Sequence, residues 1–174
     1  MAKLSYTKLN IKPEIDIKNL EWNNEIIEIK TYLSIDDKLK LIASVIGNAA
    51  DGNRFVNPAK VDVFFMLEII TNYTNITFTE KQKEDPGKLY DAFTTSGLYH
   101  QIFNSLPTIE ISNLRSLLDE TIQEIYKYNN SALGILESIT EDYKDINFDA
   151  TDLNNKIADP NNLTLLKSIM TKLG

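Results

Sequence analysis

The chain has no cysteine and a single histidine, His100. Disulfides, thiolate metal sites and cysteine nucleophiles are therefore excluded. A cluster of histidines around a metal is excluded too, and any Ser-His-Asp arrangement would have to use His100. That residue sits beside aromatics in LYHQIF. The setting predicts a satisfied, partly buried histidine rather than a catalytic one. Glycines number six and prolines five, which leaves little room for a glycine-rich phosphate loop. Long apolar runs are also missing. The most apolar stretch, VDVFFMLEII, is interrupted by Asp62 and Glu68 and is too short to span a bilayer. The opening MAKLSYTKLNIKPEIDIK lacks the apolar run of a signal peptide. The sequons at Asn72, Asn75 and Asn162 are then expected to carry no glycan.

Basic residues are outnumbered, 18 against 25 acidic, for a net charge of −7. The imbalance is uneven. Residues 1–19 carry Lys3, Lys8, Lys12 and Lys18 against Glu14 and Asp16, a local charge of +2, so the rest carries −9. An acidic body repels phosphate backbones, which disfavours direct nucleic-acid binding. The basic segment suits a solubilising tail or a contact with an acidic partner.

What is present is an ordinary globular composition, 43% hydrophobic and 25% charged over 174 residues. That length supports a core without metal or disulfide staples. Residues 1–19 read as an extended arm, since Pro13 blocks a helix across them. Residues 20–174 read as one helical domain opening with a β-hairpin at 20–30. Within the hairpin, Asn23-Asn24 tolerates the positive φ of a two-residue type I′ turn. Ile27 and Ile29 then share the core face, and Glu28 and Lys30 the other.

Helix signals follow. Ser34 is an N-cap with Asp36 and Asp37 in the first turn. Ile35, Leu39, Ile42 and Ile46 recur at helical spacing, and Gly47 marks a stop. Asn57-Pro58 opens a second helix, hydrophobic nearly all round and therefore central. Thr79 with Gln82 forms a capping box, Asp85-Pro86 starts a further helix that stops at Gly97, and LYHQIFNSLP holds another. Ser112 is expected to cap the longest helix, running to about Tyr143. Leu114, Leu118, Thr121, Ile125, Tyr128, Ala132, Ile135 and Ile139 form a heptad seam along it. Thr121, Tyr128 and Ala132 suit a seam poorly, and Gly134 weakens it. A core helix is therefore expected, with self-association through 114–139 as the alternative. Two short helices starting at Thr151 and Asp159 complete the chain. The fold class is mainly α, with about six to seven helices, an extended arm and a small hairpin.

Candidate chemistry is sparse. Glu120 and Glu124 share a helix face, where solvated surface is the ordinary role of such a pair. Asp145, Asn147 and Asp149 have the spacing of a calcium loop, with Thr151 at the next ligand position. However, Ala150 stands where glycine makes the sharp turn, and Lys156 where a bidentate glutamate is needed. Helix capping is the better reading of this loop. No cofactor is expected, nor an enzyme. An arm, a hairpin and an acidic helical body are the equipment of a binding or assembly protein.

The frames LEWNNEIIEIKTYLSIDDKLKLI, NPAKVDVFFMLEIITNYTNITFTEKQKEDPGKLYD and ADPNNLTLLKSIMTKLG resemble small acidic proteins from the structural modules of tailed bacteriophages. The first of them also resembles phage tail assembly chaperones. The resemblance implies a short hairpin followed by an acidic helical body that holds aggregation-prone tail protein before assembly. It implies a non-enzymatic role in virion morphogenesis, as a tail assembly chaperone or minor head–tail component. Leu20, Trp22, Ile27 and Ile29 would form or support the contact with another phage structural protein. The location implied is the cytoplasm of the bacterial host, or the virion itself. The chain is longer than the chaperone pattern and adds the seam helix. The rival reading is an acidic inhibitor of a host defence or nucleic-acid enzyme. Lys38, Lys40, Lys81, Lys83, Lys127 and Lys144, interspersed among the acids, weaken it.

Overall fold

The computed structural model describes residues 3–11, 15–51, 55–131 and 133–135. It is mainly helical with one two-stranded antiparallel hairpin. The order is α1 (Tyr6–Leu9), β1 (Ile17–Trp22), β2 (Glu25–Lys30), α2 (Ile35–Ala49), α3 (Pro58–Tyr73), α4 (Glu80–Lys83), α5 (Pro86–Thr95), α6 (Leu98–Ser105) and α7 (Thr108–Asn129). The chain divides into two compact units, residues 1–127 and 128–174, where the sequence reading has one domain from residue 20. The calcium-like loop at Asp145, Asn147 and Asp149 lies outside the described residues, as do the short helices expected at Thr151 and Asp159.

Local chemistry accounts for most boundaries. The Ser34 hydroxyl accepts from Asp37 N–H at 3.2 Å and donates to Asp37 Oδ2 at 2.7 Å. That hydroxyl, with Lys40 adding less, holds the Asp37 carboxyl below the ordinary aspartate range. Asn57 accepts from the backbone N–H groups of Ala59 and Lys60. Thr79 and Gln82 form the complete capping box, and Asp85 accepts from Lys88 N–H. Gly97 takes φ +77°, a left-handed conformation that ends one helix and turns into the next.

α3 is the centre of the first unit. Val61, Phe65, Met66, Ile69, Ile70 and Tyr73 are buried along it. α2 packs beside it through Leu41, Ile42, Val45 and Ala49, and α7 adds Leu114 and Leu118. Each buried Val, Leu, Ile, Phe or Met side chain among these contributes about 1.5–3 kcal/mol.

Four expectations need correction. The longest helix among the described residues runs Thr108–Asn129, so Ser112 lies inside it rather than capping it, and it ends well before Tyr143. Gly47 does not stop α2, which continues to Ala49. The buried face of α2 is rotated: Lys38, Leu41, Ile42, Val45 and Ala49 are inside, while Ile35 and Leu39 are exposed. The cause is an ion pair that draws Lys38 inward. The segment before the hairpin is not extended throughout, for residues 6–9 make one helical turn and β1 begins at Ile17. Of the seam positions, Leu114 and Leu118 are fully buried in the core of their own chain.

Candidate functional site

The hairpin is where sequence and geometry converge. Asn23 and Asn24 both have positive φ, 50° and 65°, as a type I′ turn requires. The strands pair Trp22 with Glu25, Leu20 with Ile27 and Lys18 with Ile29. Directly paired residues share a face, so Lys18, Leu20, Trp22, Ile27 and Ile29 all turn the same way. That face meets the helical body. Ile27 and Ile29 are buried, and Leu20 and Trp22 are half-buried against the core. The four candidate contact residues are thus brought together, on the inner side. They anchor the hairpin.

Three further ties fix it in place. Lys18 Nζ donates to the carbonyl of Ser105 at 2.7 Å, where a cation meets the negative end of α6. Asn75 covers the outer edge of β2: its Oδ1 accepts from Glu28 N–H at 3.1 Å and its Nδ2 donates to the Ile26 carbonyl. Thr74 forms a β-bridge with Ile29.

Beside these three ties stands the Glu110 cluster. Glu110 is 4% exposed. Its Oε2 meets Lys38 Nζ at 2.7 Å, and its Oε1 accepts from Tyr73 O–H at 2.7 Å and from Leu33 N–H at 3.1 Å. The Lys38 ammonium also lies 4.1 Å from the centre of the Tyr32 ring. Burial, reinforced by the Glu110 carboxylate, raises the Tyr73 phenol far above its ordinary range. Every polar atom of the carboxylate is satisfied, which marks the cluster as a clamp. It joins the segment leaving the hairpin to α2, α3 and α7.

Several apolar side chains are left exposed. In the segment before and entering β1, Leu4, Tyr6, Leu9, Ile11, Ile15 and Ile17 are all exposed, and α1 buries none of its residues. Ile26 on the outer hairpin face, and Ile35 and Leu39 on one face of α2, are exposed as well. The sequence signal for the arm was its apolar content without helical or strand neighbours to bury it. The α2 patch had no such signal, because its spacing is that of an ordinary core face.

The remaining candidates offer less. His100 is exposed on α6, not partly buried. Glu120 and Glu124 are both exposed, and Glu124 pairs with Lys127 at 2.6 Å. Among the described residues no group of three metal-ligating side chains converges. Among them, too, no helix is long and apolar enough to cross a membrane. A recess of about 320 Å³ lies where α2, α3 and α5 meet, lined by Phe64, Leu67, Phe78 and Leu89. Glu68 at its wall is already bonded to Ser44 at 2.5 Å and Asn72 at 2.7 Å.

No protein-family model matches the chain, and no curated protein or solved structure is significantly similar to it.

Proposed function

We propose that this protein is a non-enzymatic assembly factor of a tailed bacteriophage, a tail assembly chaperone or minor head–tail component. It binds another structural protein of the phage in the cytoplasm of the bacterial host. One observation carries this reading: the apolar side chains from Leu4 to Ile11 are exposed, and none of the described residues of that segment is buried. Exposed apolar side chains grouped along one segment are the material of interaction sites. The hairpin that follows the arm in sequence is anchored on the acidic body.

The arm carries net positive charge and the body net negative. The arm therefore suits a partner with an acidic rim around an apolar groove. Mimicry of nucleic acid gains little support, because acids of the body are paired in place: Asp51 with Lys60, Asp62 with Arg115, Glu80 with Lys83.

The reading is tested by co-expressing the tagged chain with the structural proteins of its phage. Stable co-purification of a tail or capsid protein is the expected result. Recovery of the chain alone, or of a host nuclease instead, would overturn it.

A further inference from the structure

The two edges of the hairpin are treated differently, and the difference follows from the register. The turn at Asn23-Asn24 makes Trp22 and Glu25 a hydrogen-bonded pair. Alternation then makes Leu20–Ile27 and Lys18–Ile29 hydrogen-bonded pairs as well. The bond from Thr31 N–H to the Asp16 carbonyl, 2.9 Å, continues the same ladder. The backbone groups of Ile26 and Glu28 must then point away from β1. They do, and Asn75 takes up two of them, the Glu28 N–H and the Ile26 carbonyl. By the same alternation the N–H and C=O groups of Ile15, Ile17, Asn19 and Glu21 point away from β2. Among the described residues nothing bonds to them on that side, and all four residues are exposed. An uncovered strand edge is a template for another strand.

We infer that the open edge of β1 pairs with β1 of a second copy, antiparallel about a two-fold axis through Ile17. Hydrogen bonding allows only registers that set outward residues opposite outward residues. Centring on Lys18 opposes two lysines, and like charges directly opposite are unfavourable. Centring on Asn19 sets Lys18 against Leu20, and centring on Leu20 sets Lys18 against Trp22. Centring on Ile17 sets Asp16 of each copy against Lys18 of the other, twice over. It also brings the two Ile17 side chains, each 58% exposed, into contact on the outer face. Ile15 then lies opposite Asn19. The outcome is a continuous four-stranded sheet in which the covered β2 strands are the new edges. This pairing does not depend on the proposed function, since it leaves Leu4, Tyr6, Leu9 and Ile11 free for a different protein.

Light scattering on the full chain during size-exclusion chromatography reads the pairing directly. A mass twice the 19.8 kDa of the chain is expected at high concentration, falling on dilution. Asn19→Pro removes one outward N–H that the hairpin does not use, and proline is tolerated at such an edge position. It is expected to give a monomer with unchanged circular dichroism. Ile17→Lys opposes two charges at the axis and is expected to do the same, so the test survives if the proline variant fails to fold. The absence of native cysteine makes register equally testable. Ile17→Cys puts two thiols on residues about 5.5 Å apart, within disulfide reach, and should cross-link on oxidation, whereas Asn19→Cys should not. A monomeric wild-type chain, a dimer indifferent to both substitutions, or cross-linking through Asn19→Cys alone would each overturn the inference.

Discussion

The Lys38 ammonium lies 2.7 Å from Glu110 Oε2, in an ion pair that is almost wholly buried. Seventy-two residues separate the two in sequence. The pair welds α2 to the start of α7, beside the segment that leaves the hairpin. Removing Glu110 strands three donors at once: Lys38 Nζ, Tyr73 O–H and Leu33 N–H. Glu110→Ala is expected to cost about 3–5 kcal/mol of stability, the range for breaking a buried pair. Lys38→Met should cost less, because the carboxylate keeps its bonds from Tyr73 and Leu33. Urea denaturation of the three proteins checks the order.

Tyr99 provides a pH signature. Burial is the main reason its phenol is pushed up to about 12, with smaller effects from charged neighbours. In the unfolded chain it ionises near 10. A folded pKa above the unfolded one stabilises fully below pH 10, and that contribution is lost as pH rises through 12. Tyr73 is shifted in the same direction. The melting temperature should therefore fall between pH 10 and 12. Tyr99→Phe should keep the melting temperature at neutral pH and lose part of this alkaline fall, read by calorimetry across the range.

Asn75 guards the outer edge of β2 with two side-chain bonds to backbone. Asn75→Ala is expected to cost about 1 kcal/mol, the net worth of exposed hydrogen bonds. It should also raise light scattering on storage, because a second strand edge is uncovered. Unchanged scattering would show that the edge needs no cover.

Asn24 sits at φ 65°. Asn24→Ala is expected to destabilise by about 1 kcal/mol, the strain of the left-handed region for a residue with a Cβ and no polar side chain. Asn24→Gly should be neutral or stabilising, since Asn-Gly is the preferred type I′ sequence. Thermal melts of both variants decide it.

How much of this was readable beforehand depends on the range of the interaction. Ser34, Asn57, Thr79 with Gln82, and Asp85 were legible as caps because each bonds a backbone group within three residues. The Asn23-Asn24 turn and the inward face of Ile27 and Ile29 were legible for the same local reasons. The start of α7 was misread because Ser112 has the chemistry of a cap, while the earlier turn is held by Glu110 reaching residues far off in sequence. The rotated face of α2 has the same origin. Apolar spacing pointed to Ile35 and Leu39, but a lysine that finds a buried carboxylate displaces them to the surface. At the candidate site, sequence picked out the residues that hold the hairpin. It did not separate them from the residues left free, because which face is covered is a tertiary fact.

We propose that the exposed arm holds a structural protein of a phage. The most direct measurement compares what the tagged wild-type chain captures from infected cells with what a variant captures, by quantitative mass spectrometry. The variant replaces Leu4, Tyr6, Leu9 and Ile11 with serine and leaves every buried residue intact. The account predicts a tail or capsid protein captured by the wild-type chain and lost from the variant, with both chains equally stable. Equal capture by the two chains, or no phage structural protein with either, would contradict it.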